Sequence, residues 1–238
     1  MCGIFGLYFK KIGNYNKCLI KDIKILSTLS RRRGQDTFGL LISHNREENI
    51  FKVNTDPVDC FSRRDYKTFC NSNLNKINPL EPFSFVGQTR LVTNGTKFLP
   101  ENNQPIITNK VIGVHNGIIV QDQLEDQMKH KSSFEGYNSK SDSLNFFEDL
   151  NEIYLKNKDN FFQNYFEYIH KIDGNYSISF RLPSLRLNIL SSNCGSLYYS
   201  INQNNLVFAS EKSILEEFFQ KTKNKNFKEK ISINQIVN

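Results

Sequence analysis

The chain lacks several features that would commit it to a class of function. None of its apolar runs approaches the roughly 18 residues of a membrane span, so no bilayer-crossing segment is expected. Its N-terminus has no basic stretch leading into an apolar one, so nothing there reads as a secretory signal. The five cysteines, Cys2, Cys18, Cys60, Cys70 and Cys194, include no CxxC pair and are odd in number. Such spacing argues against a zinc site and against a disulfide framework. A reducing, cytoplasmic location is therefore expected. No internal repeat is visible.

What is present is enough for a sizeable core. The 238 residues include 20 Phe and 10 Tyr, and 38% are apolar. This length fits one large domain or two small ones. The 31 basic residues outnumber 24 acidic ones, for a formal charge of +7. Much of the excess is lysine in an Asn-, Lys-, Ile- and Phe-rich background, which spreads charge over a surface. No nucleic-acid partner is expected from it.

Residues 3–9 read as a buried strand. Leu19, Ile23 and Leu26 recur at helical spacing, predicting an amphipathic helix over 19–30. Residues 38–43 and 49–53 suggest a hairpin around a polar turn at 44–48, and 58–76 reads as loop with some helix. A strand is expected over 83–91, followed by a polar loop with Pro100 and Pro105. A further strand over 111–115 should end at Asn116-Gly117, a strong turn signal. Helical patterns cover about 121–130, 142–155 and 159–170. Asp173-Gly174 marks another turn. Short strands are expected at 176–181, 185–191, 197–201 and 205–209, then a helix at 211–220. The lysine-rich 221–230 reads as solvated, with a last strand near 231–237. Strands in two batches, with helices between and after them, indicate an α+β architecture.

Cys2 follows the initiator methionine. If Met1 is removed, one residue carries both a thiol and an α-amine, which titrate near ~8.5 and ~8 respectively. The amine can serve as base for its own thiol, with one water carrying the proton across the strained short tether. A buried strand residue with no chemical role is the alternative.

The downstream motifs decide between these. Cys2-Gly3-Ile4-Phe5-Gly6, Arg33-Gly34-Gln35-Asp36 with Gly39, Thr89-Arg90, Val114-His115-Asn116-Gly117, Ser141-Asp142, Asp173-Gly174 and Phe208-Ala209-Ser210-Glu211 occur in this order. With them the chain resembles the class II glutamine amidotransferase domain, the N-terminal-nucleophile glutaminase of asparagine synthetases, amidophosphoribosyltransferases and glucosamine-phosphate synthases. The resemblance implies a four-layer αββα sandwich of two antiparallel sheets. It implies Cys2 as nucleophile and base, with the Asn116 side-chain amide and the Gly117 N–H as oxyanion donors. Arg90 would hold the α-carboxylate of L-glutamine, Thr93 would add a contact to it, and Asp142 would hold the α-ammonium. Asp142 or Ser141 could also cap the helix that begins there. Arg33 and Asp36 read as scaffold. Gln88 and Gln121 depart from the family, which often has His and Asn there.

The expectation is a glutaminase domain over 2–220 with a lysine-rich segment and final strand or tail over 221–238, needing no metal and no cofactor. Because family members usually carry a synthase domain after this one, ammonia would pass to a separate synthase chain. A hydrolase of γ-glutamyl peptides or amine conjugates is the same-fold alternative. A non-catalytic regulatory subunit is the other.

Overall fold

A computed structural model describes residues 2–13, 18–92, 97–120, 141–222 and 232–236. In chain order the strands are β1 (Gly3–Phe9), β2 (Thr37–His44), β3 (Glu47–Val53), β4 (Phe83–Arg90), β5 (Ile106–Ile107) and β6 (Ile112–Val120). They continue as β7 (Asp173–Leu182), β8 (Leu187–Ser192), β9 (Tyr198–Ile201), β10 (Asn205–Ala209) and β11 (Asn234–Gln235). The helices are α1 (Leu19–Ser30), α2 (Pro57–Cys60), α3 (Arg64–Leu74), α4 (Asp142–Lys156), α5 (Phe161–Ile169) and α6 (Lys212–Lys221).

Two antiparallel sheets result. One has seven strands in the order β11-β9-β10-β1-β4-β2-β3, and the other four in the order β5-β6-β7-β8. Period-two alternation assigns the faces. Phe5, Leu7 and Phe9 of β1, with Phe38, Leu40 and Ile42 of β2, pack against α1, α3 and α6. The opposite faces supply Ile4, Leu41 and Val86, which meet Ile112 and Val114 of the second sheet. The outer face of that sheet buries Tyr176, Ile178 and Phe180 against α4 and α5. The layers are thus helix, sheet, sheet, helix, the αββα order expected. Among the described residues no helix is long and apolar enough to cross a membrane.

The structure corrects the reading of Asn116-Gly117 as a strand end. β6 runs straight through them, with Asn116 paired to Ser177 and Gly117 to Tyr176. A hairpin tip of type I′ needs positive φ at both central residues. Here only Gly117 has it, at +147°, an extended conformation that keeps the ladder going. Asp173-Gly174 is likewise no turn. It opens β7, opposite Val120 and Ile119. The β2–β3 hairpin is tighter than the five-residue turn expected, because Asn45 (φ 50°) and Arg46 (φ 67°) alone turn the chain. The 58–76 segment is mostly helix, and the final strand shortens to Asn234–Gln235 beside β9. The helical pattern at 121–130 lies outside the described residues.

Candidate active site

Cys2 stands just ahead of β1, an inner strand of the larger sheet. Its backbone is clamped from two sides. Arg33 Nε donates to the Cys2 carbonyl at 2.8 Å, and Arg33 Nη1 donates to Glu211 at 2.7 Å. Ser210 Oγ accepts the Ile4 N–H at 2.9 Å, and the Ser210 N–H returns a 2.9 Å bond to the Ile4 carbonyl. The motifs around Arg33 and Ser210 therefore brace the strand that carries the thiol. Asp36 has the scaffold place expected of it: its Oδ2 accepts the Val92 N–H at 2.8 Å, and its N–H donates to the Arg90 carbonyl at 2.9 Å.

The Cys2 sulfur lies 4.0 Å from the Leu91 carbonyl oxygen. Burial pushes its thiol above the ordinary value, against the pull of the Leu91 backbone and the Arg90 guanidinium, while Asp142 pushes it further up. A thiol so placed rests protonated and needs a base to become a nucleophile.

Asn116 comes from the other sheet and is buried. Its Oδ1 accepts a hydrogen bond from the Cys2 backbone nitrogen at 3.1 Å. That contact commits the carbonyl end of the amide, and the NH₂ end has no partner among the described residues. Gly117 cannot carry a side chain. A Cβ there would stand 1.9 Å from the Asn175 carbonyl oxygen, and the φ of +147° is one that L-residues avoid.

Arg90 ends β4 and is buried. Its Nη1 donates to Asn103 Oδ1 at 2.9 Å, and Asn103 Nδ2 is held in turn by Asn54 Oδ1 (2.8 Å) and the Lys97 carbonyl (2.7 Å). Gly34 lets the 31–36 turn pass directly beneath: a Cβ on it would lie 2.3 Å from the Arg90 carbonyl carbon and the Leu91 nitrogen. Burial lowers the Arg90 pKa, while Cys2, Asp142 and Asp36 favour its charged form.

Asp142 is the first residue of α4, and the cap is Ser141, whose hydroxyl accepts the Leu144 N–H at 3.3 Å. Asp142 is thereby left to reach back to the sheet. Its Oδ2 accepts the Ile119 N–H at 3.1 Å and its Oδ1 the Ser143 N–H at 2.9 Å. The structure thus brings Cys2, Arg90, Asn116 and Asp142 near one another, with Gly117 next to Asn116 in β6. Thr93 and Gln121 lie outside the described residues.

Sequence reasoning gave no role to the polar groups beneath these side chains. Gln88, buried where relatives often have His, donates from Nε2 to the His115 carbonyl at 3.2 Å and stitches the sheets together. Asn103 aims Arg90 from a loop whose sequence carries no motif. His115 sits inside a recognised motif and Ser143 directly follows one, neither with a chemical signature of its own. Among the described residues no cluster of three or more His, Cys, Asp or Glu is arranged to hold a metal ion.

Fold and site together give a four-layer αββα sandwich with a cysteine at the head of an inner strand. No family model matches the chain. Over 180 residues it is 29% identical to the glutamine–fructose-6-phosphate aminotransferase [isomerizing] of Buchnera aphidicola subsp. Acyrthosiphon pisum, a match covering 75% of this chain and 26% of that protein. Its fold matches glutamine phosphoribosylpyrophosphate amidotransferase from B. subtilis, solved with ADP and GMP, at a TM-score of 0.58 and 17% identity. It also matches a structure described as the allosteric regulatory enzyme of purine biosynthesis, at 0.59 and 17%. Each structural match covers 91% of this chain and 43% of the other. The chain thus spans about a quarter of the curated relative and less than half of either solved one. It shares the fold of these two solved structures, and over 180 residues its sequence is similar to the aminotransferase.

Proposed function

We propose that this chain hydrolyses the side-chain amide of L-glutamine through a thioester on Cys2 and delivers the ammonia to a synthase. The observation that carries the reading is the 3.1 Å contact between the Cys2 nitrogen and Asn116 Oδ1. It ties the nucleophile and the prospective oxyanion donor into one frame.

With Met1 removed, the Cys2 nitrogen is a primary amine. An N–H donated to Asn116 Oδ1 orients its lone pair toward the thiol side. Through one water the amine takes the thiol proton as Sγ bonds to the γ-carbonyl carbon. The carbonyl electron pair moves to oxygen, where the Asn116 NH₂ and the Gly117 N–H stabilise it. Collapse of this intermediate breaks the C–N bond. The leaving nitrogen takes the proton back from the ammonium and departs as NH₃. Water, deprotonated by the same amine, then cleaves the thioester, restoring the Cys2 thiol and releasing glutamate.

Arg90 offers a planar fork to the α-carboxylate, and Thr93 is assigned a second contact to it. Asp142 accepts the α-ammonium, since its Oδ2 keeps a lone pair beyond the one backbone N–H it accepts. All five cysteines are free thiols, which suits a reducing cytoplasm as the place of reaction.

The test is labelling with a diazoketone analogue of glutamine, read by intact mass and peptide mapping. The expected result is a chain without Met1 that takes one label, on Cys2, and loses ammonia release. Labelling of another cysteine, or glutamine hydrolysis by Cys2→Ala, would overturn the assignment.

A further inference from the structure

Beneath Asp142 lies a buried hydrogen-bonded group whose protons can be counted. Ser143 Oγ lies 2.9 Å from His115 Nδ1, 3.1 Å from Gln104 Nε2 and 3.5 Å from Asp142 Oδ1. Gln104 is fixed in orientation, because its Oε1 accepts the His115 backbone N–H at 2.5 Å. Its Nε2 therefore donates to Ser143 and occupies one lone pair of the hydroxyl. The serine has a single proton to give, either to His115 or to Asp142.

His115 settles the direction. Its ring is buried and stacked on Phe146 with centroids 6.3 Å apart. Burial holds its pKa down at about 4, so the ring is neutral and carries one N–H. Its Nε2 is buried with no hydrogen-bond partner among the described residues. If the ring proton sat on Nε2, a buried donor would be orphaned, a rare and costly arrangement. If it sits on Nδ1, only a lone pair is left without a partner. His115 Nδ1–H then donates to Ser143 Oγ, and the hydroxyl proton is free to point at Asp142 Oδ1.

We propose that His115 and Ser143 are positioning residues for the substrate's α-ammonium site, acting as a one-way hydrogen-bond chain from Nδ1–H through the serine hydroxyl to the Asp142 carboxylate. The chain makes Ser143 a third donor to Asp142, alongside the N–H groups of Ile119 and Ser143 itself. Three donors on a carboxylate fix its plane. The remaining lone pair, on Oδ2, is then presented to an ammonium at one angle. The chain tunes recognition of the α-amino group and leaves the bond-breaking steps alone. This rests on the reading that Asp142 binds that group.

The experiment compares hydrolysis of glutamine with that of glutaramate, which has the same amide and carboxylate but no α-amine. Wild type, Ser143→Ala, Ser143→Thr, His115→Asn, His115→Gln and Asp142→Asn are assayed side by side. Ser143→Ala is expected to raise KM for glutamine about 3- to 10-fold, the effect of one lost hydrogen bond to a charged group. Its kcat should fall far less, and its KM for glutaramate should move little. Ser143→Thr, which keeps the hydroxyl, should restore discrimination. His115→Asn, with an amide nitrogen near the Nδ1 position, should do better than His115→Gln. Equal losses on both substrates would overturn the proposal, as they would mark a merely structural role. If Asp142→Asn left the glutamine-to-glutaramate preference intact, the ammonium assignment itself would fall, and the chain with it.

Discussion

The Cys2 nitrogen and Asn116 Oδ1 meet at 3.1 Å although 114 residues separate them. One belongs to the larger sheet and the other to the smaller, so the sandwich interface is what brings them together. Asn116→Ala removes a donor while leaving the strand in place. Ammonia release from glutamine should fall about 10²- to 10³-fold in kcat, with KM changing much less. A loss confined to KM would mean that Asn116 binds substrate and does not stabilise the oxyanion.

Gly117 is set by space as well as by φ. Gly117→Ala puts a methyl 1.9 Å from the Asn175 carbonyl, so β6 or β7 must shift. Destabilisation of about 1–3 kcal/mol is expected from the backbone strain, seen as a lower Tm. Activity should be lost even in the fraction that stays folded. An alanine variant with wild-type Tm would show that the ladder yields at this point.

Arg90 is held at one nitrogen by Asn103, which suits it to a fixed, two-pronged contact. Arg90→Lys keeps the charge and loses the fork. KM for glutamine should rise about tenfold or more, since bidentate pairing carries both energy and orientation. Asn103→Ala should raise KM in the same direction by a smaller factor. Steady-state kinetics on both variants provides the check.

Far from the site, Asp22 of α1 is buried and accepts a 2.8 Å bond from Thr222 Oγ1 at the end of α6, while its Oδ2 has no partner among the described residues. Burial pushes this carboxyl from 3.8 up to about 7, against the opposing effect of the Thr222 bond. The folded state then binds more protons than the unfolded state between those values. Stability from this group is present below the lower value and is lost as pH rises to the upper one. Asp22→Asn cannot ionise. Its Tm relative to wild type should climb between about pH 4 and pH 7, as followed by thermal melts. A difference that stays constant with pH would contradict the assignment.

The sequence carried the layers well, because period-two and helical spacing report which face is buried. Cys2, Arg90, Asn116, Gly117 and Asp142 were proposed as site residues through motifs, and the structure shows their surroundings. What misled was local turn chemistry. Asn116-Gly117 and Asp173-Gly174 carry hairpin signals, yet they face each other's strands in a continuous ladder, where tertiary pairing overrides dipeptide preference. What stayed silent was support. Asn103, Gln104, Ser143 and the ring of His115 act through partners 11 to 39 residues away. No spacing rule encodes such pairings, because they exist only once the sheets have packed.

That division between sheets has a kinetic side. A chain leaving the ribosome can order β1 against β4 early, yet the β6 strand reaches the thiol only after long-range closure, which is slow in sheet-rich folds. Until then the sulfur lacks its amide neighbour and has nothing to hold a charged intermediate. For the nucleophile proposed above, docking of the second sheet is therefore also the moment at which the sulfur gains its amide neighbour.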